Sequence, residues 1–293
     1  MTAPAPRRPS EVKDWCISRG FHPSRILGQN FLVDGNAIDF IVGEAGAAPG
    51  VRILEVGPGL GAITRPMLDR GASVVAIEKD TRLAALLAEA CAGHGDSFEL
   101  ISGDALDVDL DALLARGFDA FVSNLPYSVG TRILLDLCRH PLAPPRMVVM
   151  VQREVADRLS ARPGDPERGQ AGVWVQARWT VRPLKTVPPS CFWPRPEISS
   201  TILLLEAADR LPTEVEDRFY KVAKIAFTQR RKQLATILRN NAATLGLGAA
   251  ATPEAILAAA DIDPKARPET LSHDDWLRLA AQLPRNNTTV TKA

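Results

Sequence analysis

Long apolar runs are absent from this chain of 293 residues. No stretch is long and apolar enough to span a membrane, and the opening MTAPAPRRPSEV lacks the apolar core of a signal peptide. We therefore expect a cytoplasmic location and no membrane partner. The composition, 46% apolar and 24% charged, is that of an ordinary globular protein. The length is enough for one large domain and a small one.

Clusters of metal-ligating side chains are also absent. No CxxC pair occurs, and the few cysteines and histidines are scattered along the chain. Their positions are Cys16, Cys91, Cys138 and Cys191, and His22, His94, His140 and His273. A disulfide framework or a structural zinc site needs closer and more regular spacing. We therefore predict four buried or unreactive thiols and no bound metal.

The net charge is only +1, but charge is unevenly distributed. From Phe219 to Asn241 there are six Lys or Arg and no Asp or Glu. From Arg139 to Arg195 there are ten basic residues against four acidic ones. A basic face of this kind suits a phosphate backbone, whereas a solvated helix surface would explain the same pattern. Both interpretations stay open at this point.

Apolar segments that are typical of strands alternate with amphipathic segments that are typical of helices. The strand-like segments are VRILEV (51–56), ASVVAI (72–77), SFELI (97–101), FDAFV (118–122), MVVMV (147–151), and residues 178–187 and 201–206. The helix-like segments are 62–71, 81–92, 107–116, 129–139 and 153–160. Near-continuous apolar strands separated by helices predict a parallel sheet that is covered on both faces. PGDPERGQAG (163–172) is predicted to be a mobile surface loop.

The character of the sequence changes near residue 210, after which no strand-like segment occurs. We divide the chain into a partly disordered arm (1–20), a first domain (21–208), an all-helical domain (209–283) and a disordered tail (284–293). The helical domain should begin with Thr213 as an N-cap and Glu216 completing a capping box. In the arm, a short helix over 10–20 would have Ser10 as its N-cap.

A glycine-rich segment, GPGLGA (57–62), follows the first predicted strand and leads into a helix. Glycines at this place allow the backbone to approach a ligand closely. Gly57, Gly59 and Ala62 also satisfy the dinucleotide pattern GxGxxG/A, with Glu78 about twenty residues further on. The motif alone is therefore compatible with NAD binding, with another ligand, or with a plain strand-to-helix turn.

Acidic side chains follow the next two predicted strands. Glu78 can accept both ribose hydroxyls of an adenosine moiety, and Asp104 suits the exocyclic amine of the adenine in S-adenosylmethionine (SAM), although it could merely cap a helix. Glu55 adds an acid where a cationic sulfonium or amino group could lie. Ligands of open α/β sheets bind beyond the carboxyl ends of the strands. The series therefore favours the class I SAM-dependent methyltransferase fold over an NAD-binding fold.

The segment SNLPY (123–127) ends the fourth predicted strand and is similar to the [DNS]PPY-type motif of amino methyltransferases. The adenine amine is a poor nucleophile, because its lone pair is delocalised into the ring. The Asn124 side-chain oxygen and the Leu125 carbonyl can each accept one N–H and favour a nitrogen with a usable lone pair. Pro126 fixes the backbone, and Tyr127 offers a stacking face, so positioning replaces a strong general base. Taken alone, Asn and Pro would predict a turn. The place of the segment, beside the other strand ends, favours a site.

Almost the whole chain resembles the KsgA/Dim family of ribosomal RNA adenine dimethyltransferases. The segments that carry the resemblance are LGQNFL (27–32), EVGPGLG (55–61), IEKD (77–80), SGDA (102–105), NLPY (124–127), VQREVADRL (151–159), VPPSCFWPRPEISS (187–200), FTQRRKQL (227–234), DIDP (261–264) and LSHDDWLRLA (271–280). The resemblance implies a Rossmann-like, mostly parallel seven-stranded sheet with a small all-helical C-terminal domain. It also implies a monomer that uses SAM, releases S-adenosylhomocysteine and needs no metal. The implied substrate is two adjacent adenosines in the 3′-terminal hairpin loop of small-subunit rRNA, in an immature ribosomal particle.

The resemblance also assigns roles to individual residues. The implied cofactor-binding residues are Asn30, Leu32, Gly57, Gly59, Glu78, Asp104 and Asn124, with Gly57 at the methionine part of SAM, Glu78 at the ribose and Asp104 at the adenine amine. The implied catalytic residues are Asn124, Leu125, Pro126, Tyr127 and Phe192. Phe192 is expected to be a rigid exposed ring that stacks on the flipped adenine opposite Tyr127. Packing of this proline-rich edge on the core is the alternative.

Two departures from the family pattern do not touch the chemistry, but both could alter RNA docking or the behaviour of a lid. Ile26 and Leu27 replace a basic and an aromatic residue, and RGQAGVWV (168–175) replaces the common YGRLSV. The basic block from Arg230 to Lys232 either contacts RNA or joins the domains through salt bridges.

Two other functions compete with the implied one. One is a large-subunit rRNA methylase that confers macrolide resistance, and FTQRRKQL with the helical tail argues against it. The other is a non-catalytic ribosome-assembly or RNA-binding factor, and the intact Glu78, Asp104 and NLPY argue against that.

Overall fold

A computed structural model describes residues 9–24, 28–126, 129–208, 210–248 and 251–285. None of the helices in these ranges is long and apolar enough to cross a membrane. The chain forms two compact units. Unit 1 comprises Met1–Ala156 and Thr180–Ala207, and unit 2 comprises Asp157–Trp179 and Ala208–Ala293.

Nine strands build two sheets in the part of the chain that the structure describes. The strands are β1 (Phe31–Leu32), β2 (Arg52–Val56), β3 (Ser73–Glu78), β4 (Phe98–Ser102), β5 (Ala120–Asn124), β6 (Arg146–Gln152), β7 (Trp179–Val187), β8 (Phe192–Trp193) and β9 (Ser200–Ala207). The main sheet has the order β4-β3-β2-β5-β6-β9-β7, and β1 pairs with β8 in a separate two-stranded sheet. The first five strands of this order are parallel, and β9 runs antiparallel to β6. The predicted α/β fold with a mostly parallel seven-stranded sheet is therefore confirmed.

Thirteen α-helices are present in the described ranges. They are α1 (Pro9–Ser18), α2 (Gly35–Glu44), α3 (Thr64–Asp69), α4 (Thr81–Cys91), α5 (Leu110–Leu114), α6 (Gly130–Arg139), α7 (Arg153–Ser160), α8 (Gln170–Gln176), α9 (Glu216–Thr228), α10 (Leu234–Asn240), α11 (Ala242–Leu245), α12 (Pro253–Ala259) and α13 (His273–Gln282). Helices α1 to α6 belong to unit 1 and α8 to α13 to unit 2, while α7 begins in one and ends in the other.

The central strands of unit 1 are almost entirely buried, as their apolar sequences predict. In β5 and β6, for example, Phe121, Val122, Met147 and Val149 are at most 1% exposed. A strand that is covered on both faces has no polar side to show, which is why these segments do not alternate. Asp side chains then begin three of the flanking helices by accepting backbone N–H groups: Asp34 for α2, Asp80 for α4 and Asp109 for α5.

Two predicted helix starts are wrong. Helix α1 begins at Pro9, so Ser10 lies inside it rather than capping it. Helix α9 begins at Glu216 after a turn in which Thr213 offers only its backbone carbonyl. The Glu216 side chain accepts instead from Arg178 Nη2 at 2.7 Å, which removes it from a capping box.

Residues 163–172, predicted to be a mobile surface loop, are partly buried. Helix α8 begins at Gln170. Arg168 is 2% exposed, and its buried guanidinium donates to the Ala161 carbonyl at 2.8 Å. Val173 and Ala177 join the apolar core of unit 2, which centres on the fully buried Trp276. The first predicted domain included 157–179, whereas this segment packs with the C-terminal helices.

Gly172→Ala should destabilise the protein by about 1–3 kcal/mol, because an added Cβ would collide with the Arg158 backbone carbonyl oxygen. Urea unfolding monitored by tryptophan fluorescence measures the loss. Gly169→Ala is the matched control, since the nearest atom to its Cβ would be 3.8 Å away. Equal unfolding midpoints for the two variants would contradict the close packing of α8.

Candidate active site

Four neighbouring strand ends of unit 1 border one pocket. In the sheet order β4-β3-β2-β5, the residues at or just beyond these ends are Asp104, Glu78, Gly57 and Asn124. The pocket is lined by eight of the predicted site residues: Asn30, Leu32, Gly57, Gly59, Glu78, Asp104, Asn124 and Pro126. The parallel register explains this convergence, because all four carboxyl ends lie at the same edge of the sheet.

The glycine loop has a backbone that only glycine adopts easily. Gly57 and Gly59 have φ values of +69° and +58°. A Cβ on Gly59 would stand 3.2 Å from the Phe31 ring, so a side chain there would crowd the pocket wall. The Gly59 N–H donates to Glu78 Oε2 at 3.0 Å, which fixes the loop to the neighbouring strand end.

Glu78 is a buried carboxyl group that can accept a further hydrogen bond. It is 6% exposed, and its second oxygen accepts the Asp80 N–H at 2.8 Å. Burial raises the pKa of Glu78, and the hydrogen bonds from Asp80 and Gly59 oppose that shift. A carboxylate has about four lone-pair positions, so at least one remains for a hydroxyl donor of a ligand beside the backbone donors Gly59, Asp80 and Lys79.

Asp104 has two roles in the described structure. Its Oδ2 is 2.5 Å from Lys79 Nζ, and its Oδ1 accepts the Leu106 N–H at 3.0 Å. The hydrogen bond from Lys79, then that from Leu106, lowers the pKa of Asp104. Asp104 therefore caps a turn, as the alternative interpretation held, and its charged carboxylate also lines the pocket wall. Binding of an adenine amine by Asp104 stays a prediction.

Glu55 lines the same pocket and is the most deeply buried acid there. It is 1% exposed, and its Oε2 accepts from Thr64 Oγ at 2.7 Å. Burial raises its pKa to about 8, although the Thr64 hydrogen bond acts in the opposite direction. Glu55 is therefore largely protonated at neutral pH.

The NLP segment fixes an amide at the pocket wall. Asn124 Nδ2 donates to the Asn30 carbonyl at 3.1 Å, which orients the amide and leaves Oδ1 as its acceptor. Leu125 is 2% exposed, and its N–H donates to the Met150 carbonyl at 3.1 Å. Pro126 lines the pocket, whereas Tyr127 lies outside the described residues.

Phe192 is not the exposed ring that the sequence predicts. It is 2% exposed and belongs to the main apolar core, because β8 pairs with β1 and turns this side chain inward. The alternative interpretation, in which this proline-rich edge packs on the core, is therefore the correct one for Phe192. Stacking on a base would require this ring to leave the core.

Several pocket residues were not predicted from the sequence, among them Val12, Gln29 and Lys79. Val12 comes from α1, and with Cys16 of the same helix it packs on Phe21 and Phe31 in a separate apolar cluster. The short helix predicted over 10–20 is therefore present, and the spacing of Val12, Trp15 and Cys16 was the signal that one of its faces is buried.

The remaining predicted features are distributed as follows. The four cysteines are free thiols, of which Cys191 is partly exposed and the other three are buried. Within the described ranges no group of His, Cys, Asp or Glu is arranged to hold a metal ion, and the absence of a metal stays a prediction. Ile26 and Leu27 lie outside the described residues.

The comparisons with known proteins identify the family of the chain. The family model described as ribosomal RNA adenine dimethylase matches residues 21–283. The Ribosomal RNA small subunit methyltransferase A of Moorella thermoacetica is 40% identical over 276 residues, covering 90% of this chain and 94% of that protein. The protein of the same name from Mesorhizobium japonicum is 40% identical over 278 residues, covering 92% and 96%.

Two solved structures are also similar. A dimethyladenosine transferase from Plasmodium falciparum has a TM-score of 0.75 and 24% identity, covering 85% of this chain and 95% of its own. The 23S rRNA methyltransferase ErmE has a TM-score of 0.67 and 27% identity, covering 87% and 99%.

The sheet order, the glycine loop and the acids at successive strand ends define a class I SAM-dependent methyltransferase. With the family model matching nearly the whole chain, the NAD-binding alternative is excluded. The chain belongs to the ribosomal RNA adenine dimethylase family.

Glu55→Gln should change how stability depends on pH. The folded-state pKa, about 8, lies above the ordinary value of 4.5, so the folded protein holds this proton more tightly. The resulting stability is complete below about pH 4.5 and is lost as the pH rises through 8. The variant should match the wild type near pH 5 in urea unfolding and be the more stable protein at pH 9. Glu89→Gln, at an exposed carboxylate, is the control, and parallel pH profiles for all three proteins would contradict the buried acid.

Proposed function

We propose that the protein transfers methyl groups from SAM to the N6 amines of two adjacent adenosines in the 3′-terminal hairpin loop of small-subunit rRNA. The products would be N6,N6-dimethyladenosine, S-adenosylhomocysteine and one proton for each methyl group, lost from the amine after the methyl group has been transferred. The observation that carries the proposal is the order of Asp104, Glu78, Gly57 and Asn124 along one sheet edge. Membership of the family and the names of the relatives support the reaction type and the RNA.

The order of the side chains fits the order of chemical groups in SAM. Asp104 would take the adenine amine, Glu78 the ribose hydroxyls and the Gly57 loop the methionine part. When bound, SAM supplies a methyl group on a positively charged sulfonium. Burial raises the pKa of Glu55 to about 8, and a cationic group of SAM beside it would act in the opposite direction by favouring the ionised form.

The target adenine would bind at the carboxyl end of β5. Asn124 Oδ1 and the Leu125 carbonyl would each accept one N–H of the amine, which localises its lone pair toward the methyl group. The geometry of these two acceptors is set before the base arrives, since Asn30 holds the amide and Met150 holds the Leu125 N–H. Positioning therefore supplies the catalysis, and Tyr127 would provide a stacking face for the extruded base.

The RNA partner would be presented in an immature small ribosomal subunit in the cytoplasm, and we propose that the enzyme acts as a monomer. Exposed cations of unit 2 support contact with a phosphate backbone. Arg231 and Lys232 are exposed, whereas Arg230 donates to the Pro166 carbonyl and lies 3.9 Å from Glu269. Arg230 therefore acts within unit 2, and its two neighbours are the better candidates for RNA contact.

The substrate itself can be tested by incubating the protein and labelled SAM with immature small-subunit particles and, separately, with protein-free large-subunit RNA. Label should enter only the small-subunit particles, as dimethyladenosine. Label in only the large-subunit RNA would establish the macrolide-resistance activity instead. Label in neither, with SAM bound, would favour the non-catalytic assembly factor.

Asn124→Ala should lower turnover by about 100-fold or more, because one of the two acceptors for the amine is removed. SAM affinity, measured by calorimetry, should fall by less than about tenfold, since Glu78 and the glycine loop remain. Asn36→Ala, an exposed position in α2, is the control. A near-normal rate for Asn124→Ala would sink the proposed role.

A further inference from the structure

Residues 28–32, called the strap here, all line the cofactor pocket. The C-terminal end of the strap is fixed by the pairing of β1 with β8 and by a hydrogen bond from the Val33 N–H to the Cys191 carbonyl at 2.8 Å. The Phe31 ring lies against the Gly59 backbone. The C-terminal end of the strap is therefore anchored, and its first three residues, 28–30, line the pocket beyond that anchor.

Gln29 ties the other end of the strap to the end of β3. Both polar atoms of its side-chain amide are hydrogen-bonded. Oε1 accepts the Ser24 N–H at 2.7 Å, and Nε2 donates to Asp80 Oδ2 at 3.0 Å. These two bonds define the orientation of the amide. Asp80 lies two residues beyond Glu78, so Gln29 reaches the strand that also carries the predicted ribose ligand.

Asp80 is a strong partner for this bond. It is 7% exposed, and it also accepts from the Arg82 guanidinium at 3.0 Å. Burial raises the pKa of Asp80, but hydrogen bonds from Arg82 and Gln29 outweigh burial and lower the pKa overall. A hydrogen bond to a buried, ionised carboxylate is about twice as strong as one between neutral groups.

The strap also contacts the end of β5. The backbone carbonyl of Asn30, next to Gln29, accepts from Asn124 Nδ2 at 3.1 Å. Loss of this contact would free the Asn124 amide to rotate. Its Oδ1 would then no longer be held in place as the acceptor. Two adjacent strap residues thus reach strand ends on opposite sides of the glycine loop.

We propose that Gln29 is a positioning residue whose bond to Asp80 latches the strap across the cofactor pocket and, through the Asn30 carbonyl, orients Asn124 toward the target amine. This inference rests on the function proposed above. The latch couples two events in one movement: SAM is retained, and the acceptor for the adenine amine is set. An open latch lets SAM leave and leaves Asn124 without its orienting contact.

Three isosteric variants of the full-length protein test the latch. In Gln29→Glu, two carboxylates face each other and the bond is lost. In Asp80→Asn, the Gln29 amide can still donate to the new side-chain oxygen, and Asn remains a good N-cap for α4. In the double variant Gln29→Glu/Asp80→Asn, the polarity is reversed and the new Asn can donate to the new Glu.

SAM dissociation is measured by stopped flow without RNA, and kcat is measured at saturating SAM with small-subunit particles. Gln29→Glu should release SAM about tenfold faster and lower kcat about tenfold, since a charge-assisted hydrogen bond contributes on that order. The double variant should recover most of both losses, and Asp80→Asn should show a smaller effect than Gln29→Glu. Gln282→Ala, an exposed glutamine at the end of α13, is the control.

The outcomes separate the latch from the proposed function. A wild-type protein that binds SAM and methylates, with Gln29→Glu unchanged in both measurements, would overturn the latch alone. A double variant no better than Gln29→Glu would also overturn it. Recovery of SAM retention without recovery of kcat would remove the coupling to Asn124. A wild-type protein that does not bind SAM would overturn both proposals.

Discussion

The register of the parallel strands is the constraint on which the site depends. Val56 pairs with Ile77, and Glu78 pairs with Ser102, so the strands reach the same edge together. Hydrogen bonds continue one residue past the strands, where the Gly57 N–H donates to the Ile77 carbonyl and the Gly103 N–H to the Glu78 carbonyl. The loops therefore leave the sheet already aligned. A slip of one residue in β3 would turn Glu78 to the opposite face of the sheet.

Charge at this edge is graded rather than uniform. Asp104 and Asp80 have lowered pKa values because cations and N–H donors surround them. Glu78 and Glu55 have raised pKa values because burial dominates. The ionised carboxylates of Asp104 and Asp80 thus lie just beyond β4 and β3, beside the cations Lys79 and Arg82 respectively. Burial instead favours the neutral form of Glu78 and of Glu55, the acid just before the glycine loop.

The main sheet and most of the pocket could be predicted because strand burial and strand-end chemistry both leave local marks in the sequence. Seven apolar segments became the seven strands, and residues such as Glu78 and Asp104 follow them directly. Structural features that depend on residues distant in the sequence could not be predicted in this way. The inward turn of Phe192 depends on pairing with β1, and the release of Glu216 from a capping box depends on Arg178. Gln29 stood within a recognised motif, but only its contact with Asp80, fifty-one positions away, shows what it does.

Unit 2 is built from two separated stretches of chain, which has a consequence for synthesis. Asp157–Trp179 emerges from the ribosome before the helices that bury Val173 and Ala177. Until those helices follow, this stretch must remain unfolded or exposed while β7 and β9 are synthesised and join the sheet. Folding of the helical unit therefore waits until α13 has been synthesised, and a chain cut short after Ala207 would carry an orphaned segment open to proteases and to aggregation.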